Sequence, residues 1–306
     1  MGVYKLTEKL GNGMEAVTYG SAEGKAVKIP TPFIPGASLI SRLLHAVWRP
    51  QDPEELKRLY KNYIELLEKY DFPHIDTEIV ENPEFELPDG KVINPEFGMK
   101  SDLIKNFDEK ALRYSDFVKH PKKMRQFTEM ILKAHEMNRD EKVCPDLIGT
   151  PATLKGFAGV ISAKVRRAVD SLLGHKAEVP QSQDFVLNNL YDAAADSEKE
   201  VRLKLLDIGL LDANDNIKGG AVIDLLIDFT ICSAIDLTLL AREKCVRENS
   251  EDPLCEEVVE ELKNIRKEIN LPTRLLFDCI FKLFREQIAE IFGEDLEEKS
   301  SCKAAA

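Results

Sequence analysis

Short alternating runs crowd the first third of this chain, and apolar patterns at three- and four-residue steps fill the rest. Residues 3–10 alternate as a strand does until Gly11-Asn12-Gly13 breaks the run. Ala16 to Ser21 and Lys25 to Ile29 read as two more strands around a turn at Glu23-Gly24, and the prolines from Pro30 to Pro35 end the sheet. Asp52-Pro53 then opens a helix, with Asp52 as N-cap and Pro53 at its first position. Leu56, Leu59, Tyr60, Tyr63, Leu66, Leu67 and Tyr70 give that helix one apolar face, and Asp71 to Pro73 stop it. Thr77 to Val80 and Val92 to Met99 are two further strand candidates, split by the turn Pro88-Asp89-Gly90. From Pro121 to Glu136 the pattern is helical again, and 221–247, 253–268 and 272–292 read as helices. Strands first and helices afterwards predict an α+β fold. A small antiparallel sheet with one helix would occupy residues 1–100. A mainly helical lobe would occupy 101–295, with an insert at 150–183 and a frayed tail over 296–306.

Composition narrows the class. Hydrophobic residues make up 43% and charged residues 31%, which excludes wholesale disorder. A net charge of -12 disfavours non-specific binding to nucleic acid or to an anionic membrane. The most apolar stretch, Ala221 to Ala241, is interrupted by Asp224, Asp228 and Asp236. Each aspartate near the centre of a span would cost about 3 kcal/mol, so a buried helix is expected there and no transmembrane segment. Met1 to Leu10 has no apolar signal core. The six cysteines form no CxxC pair and have no histidine at zinc spacing, as expected of free thiols in a reducing, cytoplasmic setting.

A few polar residues stand where an ordinary core would not put them. Gly11-Asn12-Gly13 sits between two strands, where backbone N–H groups could approach phosphates, although a plain hairpin has the same composition. Rossmann and Walker A loops both need a following helix, which is missing here. Lys28 lies inside the apolar strand Ala26-Val27-Lys28-Ile29, where an ammonium needs a phosphate or a carboxylate beside it. Glu65, on the amphipathic helix, is a candidate partner. Leu205-Leu206-Asp207-Ile208-Gly209 sets a carboxylate at a strand tip, a position suited to Mg2+. Asp146, in Cys144-Pro145-Asp146-Leu147, follows a helix, and Asn188-Asn189-Leu190-Tyr191 opens a strand pair leading to Asp207. Asp146 and Asn189 make a plausible base and second metal ligand.

In this order the elements resemble the protein kinase-like superfamily. Leu10-Gly11-Asn12-Gly13 is similar to the glycine-rich loop, and Ala26-Val27-Lys28-Ile29 to the V-A-I-K strand. Glu65, eight residues before Pro73, stands as the paired helix glutamate does. Pro145-Asp146-Leu147 takes the place of H-R-D-L, Asn189 that of the catalytic-loop asparagine, and Asp207-Ile208-Gly209 that of D-F-G. Asp224 resembles the buried aspartate that ties the catalytic loop. The resemblance covers roughly residues 4–240 and implies a two-lobed protein kinase-like fold, closest to atypical bacterial kinases. It departs at the missing His-Arg, at Ala16 for the third glycine, at Ile208 for the phenylalanine and in the lack of A-P-E.

The resemblance implies an ATP- and Mg2+-dependent phosphotransferase acting on a hydroxyl acceptor such as a protein, a sugar or a lipid headgroup. Gly11, Asn12 and Gly13 would cover the phosphates, Lys28 would hold them with Glu65 orienting it, and Glu96 to Lys100, including Met99, would face adenine as a hinge. Asn189 and Asp207 would bind Mg2+. Asp146 and Asn189 lie 43 positions apart, whereas the family keeps its base five residues before its asparagine. Spacing therefore favours Asp184 as the base, and the preceding helix and the Asp-Leu pair favour Asp146. The alternative to an enzyme is a pseudokinase serving as a binding or scaffold module, and transfer of AMP is a third reading.

Overall fold

The computed structural model describes residues 3–12, 16–34, 49–50, 52–105, 110–148, 186–194, 200–214, 220–247 and 252–269. In chain order the first elements are β1 (Tyr4–Asn12), β2 (Ala16–Ser21), β3 (Lys25–Pro30), α1 (Pro53–Lys69), β4 (Thr77–Glu81), β5 (Phe85–Glu86), β6 (Val92–Ile93) and β7 (Phe97–Asp102). They are followed by β8 (Ala111–Arg113), α2 (Tyr114–Lys119), α3 (Pro121–Glu141), β9 (Val143–Pro145) and β10 (Val186–Asp192). Last come β11 (Leu203–Leu205), β12 (Leu210–Asp212), α4 (Gly220–Arg247) and α5 (Glu256–Glu268). The fold is α+β, with a mixed sheet and several helices. Two compact units share the chain, one made of Met1–Lys110, Lys133–Asp146 and Tyr191–Ile227, the other of Ala111–Leu132, Leu147–Leu190 and Asp228–Ala306. The expected insert at 150–183, the helix at 272–292, the tail, and Gly13 and Asp184 among the candidate residues lie outside the described residues.

In the first unit a seven-stranded sheet runs β4-β7-β3-β2-β1-β5-β6. Its neighbours are antiparallel except β1 and β5, which pair in parallel. Gly24, at φ 72°, makes the tight turn from β2 to β3, a backbone state that glycine enters without a Cβ clash. Leu6, Val17, Tyr19, Val27, Ile29, Phe85, Leu87 and Ile93 are buried together, so alternate positions of the first three strands meet the β5–β6 hairpin. The single strand expected over Val92 to Met99 divides into β6 and β7. Pro95 separates them, because proline cannot donate to a ladder and is excluded from a central strand such as β7.

Local signals set α1. Asp52 accepts the Glu55 N–H at 2.9 Å, Pro53 occupies the first turn, and Glu54 and Glu55 face the positive end of the helix dipole. Leu56, Tyr60, Tyr63 and Leu67 form its buried stripe, with the Tyr60 and Phe97 ring centroids 6.1 Å apart, so α1 packs on β7. Asp71, at φ 47°, turns the chain after the helix, and the Phe72 N–H closes back on the Leu67 carbonyl. The next residues bind β11: the Ile75 N–H donates to Leu205 O and the Leu205 N–H to Pro73 O, each at 2.9 Å. β9 and β12 form a separate antiparallel ribbon in the same unit.

In the second unit, Phe117 of α2 stacks on Phe127 of α3 with centroids 4.9 Å apart. Within α4 every residue from Phe229 to Thr238 is buried, as a helix that is apolar on all sides must be. No helix among the described residues is long and apolar enough to cross a membrane. Asp236, buried in α4, receives two hydrogen bonds from Arg266 of α5, at 2.9 and 3.2 Å. Asp224 is exposed, so it is not the buried aspartate expected from the sequence. The helix expected from residue 253 begins at Glu256, because Asp252 accepts the Leu254 N–H and holds a turn there. The four described cysteines are free thiols.

Candidate functional site

Lys28 sits on β3 between two other strands, opposite Thr18 of β2 and Met99 of β7. Its neighbours Val27 and Ile29 point into the core, and strand alternation sends Lys28 to the other face. There its ammonium donates to Asp207 Oδ1 at 3.0 Å, across 179 positions of sequence. The side chains keep 20% and 46% of their accessible surface, so the pair is partly buried.

Asp207 lies two residues past β11, in a turn that its own carboxylate closes by accepting the Gly209 N–H at 3.0 Å. Burial works to raise its pKa. The Lys28 charge, the Gly209 N–H and the more distant Arg49 charge together outweigh burial and hold the carboxyl below its ordinary value. Both described bonds fall on Oδ1, and Oδ2 accepts none from the described residues. The tie between Ile75 and Leu205 fixes the strand that delivers this turn.

Asp146 directly follows β9, and Leu210 begins β12, with Pro145 and Leu210 paired across the ribbon. Asp146 and the Asp207–Gly209 turn therefore lie at the same end of the ribbon. Asp146 is 8% exposed. Asn189 is half-buried in β10 and belongs to the second unit.

The expected contact between Glu65 and Lys28 is absent among the described residues. Glu65 is exposed on α1, and the carboxylate partner of Lys28 is Asp207. The reason is helical geometry: position 65 lies about 200° around the helix from the buried Tyr63, since each residue turns it by about 100°. The Glu96 to Lys100 segment, expected to face adenine, runs from an exposed residue into β7. Glu96 is exposed just before β7, and Met99 is 2% exposed in mid-strand, paired with Lys28 on one side and Ile79 on the other. The backbone groups of Met99 are used within the sheet. Gly11 pairs with Thr18 near the end of β1, and a Cβ added there would meet nothing within 4 Å. Asn12 ends β1 opposite Val17.

Three participants were not read from the sequence. Arg49, 7% exposed, donates from Nη1 to the Tyr63 hydroxyl at 3.0 Å and from Nη2 to Leu210 O at 2.8 Å. The Tyr63 hydroxyl donates to Asp212 Oδ2 at 3.4 Å, and Asp212 Oδ1 accepts the Asn214 N–H at 2.8 Å. Lys28 and Asp207 form an ion pair, and Tyr63 links Arg49 to Asp212 within the same unit. Tyr63 carried a signal, its place on the apolar stripe of α1. Arg49, in Trp48-Arg49-Pro50, belongs to no periodic pattern.

Chemically, this arrangement offers a cation on a strand beside a carboxylate with one oxygen to spare. Among the described residues no three histidine, cysteine, aspartate or glutamate side chains gather as a metal cage. Mg2+ needs no such cage, because it takes one or two carboxylate oxygens and completes its shell with phosphate and water. The donor set at Asp207 fits that demand. The chain matches no family model, and no curated protein matches it.

Proposed function

We propose that this chain is an ATP- and Mg2+-dependent phosphotransferase of the atypical kinase type, with a two-lobed protein kinase-like fold, acting on a hydroxyl acceptor. The observation that carries this reading is the 3.0 Å contact between Lys28 and Asp207. In protein kinases the third strand supplies a phosphate-binding lysine, and the D-F-G aspartate supplies a metal ligand. Here the residues that match those motifs, far apart in sequence, meet through space, as the resemblance requires. The helix between the third and fourth strands and the open space beside Gly11 agree with it.

In the reaction the acceptor oxygen bonds to the γ-phosphorus, the bond from that phosphorus to its β-bridging oxygen breaks, and ADP leaves with the electron pair. Asp207 would hold a Mg2+ ion, whose charge would offset the charge developing on the transferred phosphate. Lys28 would exchange its bond to Asp207 for the α- and β-phosphates. Asp207 Oδ2 would be a metal-binding oxygen. Asn189 matches the family's second metal ligand by motif order alone. Asp146 would receive the acceptor's proton, and its place at the same end of the ribbon as Asp207 supports that role.

Asp207→Ala tests the reading. The wild-type chain should gain thermal stability with ATP plus Mg2+ beyond that with ATP alone, and should turn ATP over. The variant should lose both while keeping the circular-dichroism spectrum of the parent. A variant with full activity sinks the metal role. A second reading, a pseudokinase that binds without transfer, is favoured by the exposure of Glu65, which leaves Lys28 without its expected helix partner. Metal-dependent stabilisation with no ATP consumption would select it.

A further inference from the structure

A guanidinium is costly to bury, and proteins retain one where its donors are matched. Arg49 is buried against two acceptors on different elements. One is the Tyr63 hydroxyl, on the inner stripe of α1, and the other is the carbonyl of Leu210, which directly follows the Asp207–Gly209 turn. Its carbon also lies 5.4 Å from the Tyr63 ring centroid, within cation–π range. Tyr63 passes the connection on to Asp212 at the far end of β12. The strand that leaves the turn is therefore held to α1 at both ends, by Arg49 at Leu210 and by Tyr63 at Asp212. Glu65, which would have linked α1 to the site through Lys28, faces away.

We propose that Arg49 is a positioning residue for Asp207, and that the chain Arg49–Tyr63–Asp212 couples α1 to the aspartate turn in place of a lysine–glutamate pair. This rests on the phosphotransferase reading for the role of Asp207, but the coupling itself can be measured without a ligand. A planar fork reaches two acceptors at once, and an ammonium cannot reproduce that geometry, so lysine at 49 should keep the charge and lose the latch. The Tyr63 hydroxyl can be deleted alone.

Arg49→Lys and Tyr63→Phe would be compared with Asp52→Ala, which weakens α1 through its N-cap and leaves the latch intact. In the ligand-free full chain, amide hydrogen exchange at Gly209 and Leu210 should rise at least about tenfold in the two latch variants. It should stay within about twofold of the parent in Asp52→Ala. With ATP, the Mg2+ concentration for half-maximal binding should rise about five- to twentyfold in the latch variants, with metal-free nucleotide binding within about twofold. Equal exchange at Gly209 in all three variants overturns the proposal. So does raised exchange with unchanged Mg2+ dependence, which would reduce the latch to a structural tie. If the parent shows no Mg2+-dependent nucleotide binding, the phosphotransferase reading fails, and raised exchange would then leave the coupling standing while removing its catalytic purpose. If Arg49→Lys does not fold, Tyr63→Phe decides alone, since removing one hydroxyl oxygen leaves the ring packed.

Discussion

Replacing Lys28 with methionine keeps most of the stem and deletes the charge that faces Asp207. The contact is a charge-assisted hydrogen bond, a type worth about 1.5–3 kcal/mol when well enclosed. Asp207 keeps 46% of its side-chain surface, so solvent screens the pair and about 1 kcal/mol is a better expectation. The sign of the pH dependence follows from the lowered pKa of Asp207. A carboxyl depressed on folding contributes stability above its unfolded pKa, about 3.9, and loses that contribution as pH falls through the lower folded value. In Lys28→Met, burial still raises the Asp207 pKa and the largest opposing influence is gone. The variant should therefore be less stable than the parent by about 1 kcal/mol near neutral pH, with the gap closing as pH falls below the ordinary carboxyl range. Urea unfolding across that range measures it. Parallel curves for parent and variant, with no convergence in acid, would refute the pairing and the reasoning built on it.

Other perturbations probe the framework around the site. Asp52→Ala should cost about 1 kcal/mol in urea unfolding by removing the cap on the Glu55 N–H. In Gly98→Ala the new Cβ would sit 2.9 Å from Phe85 Cζ and 3.0 Å from Cε2, against a ring that is 1% exposed. A loss of about 1–3 kcal/mol is expected, partly recovered by Phe85→Leu, and a neutral Gly98→Ala would contradict the close approach of β7 to Phe85. Arg266→Met removes the two hydrogen bonds that Arg266 gives to the buried Asp236 carboxylate in α4. The Tm should fall by the equivalent of about 3 kcal/mol, and Asp236→Leu added to it should restore part of the loss.

Much of the fold was legible because its signals are local. Asp52-Pro53 marks the start of α1 by capping chemistry, and the run Ala16 to Ser21 marks β2 to the residue. That Lys28 needs an anion was legible for an energetic reason, since an ammonium in an apolar strand must be compensated, but the sequence pointed to Glu65 and not to Asp207, 179 positions away. Glu65 misled because its place was counted from Pro73, whereas the stripe Leu56, Tyr60, Tyr63 and Leu67 decides which side of a helix faces inward. The pairing of Met99 was illegible because it lies in a central strand whose partners, β3 and β4, are distant in sequence. Arg49 was illegible because one guanidinium outside any periodic run announces nothing about the two acceptors that it finds.

The parallel pairing of β1 with β5 has a consequence for solubility and assembly. Tyr4 and Lys5 face Phe85 and Glu86, so the first strand offers no bare ladder to another molecule at its start. The sheet terminates on that side in β6, two residues long and too short to template a neighbouring chain. On the opposite border, Glu81 of β4 is flanked by the ammonium groups of Lys57 and Lys61, a charged fringe that an incoming strand would have to strip of water. The sheet thus ends in a short strand on one side and a charged one on the other, and a deletion of residues 83–94 would bare the start of β1 to another chain.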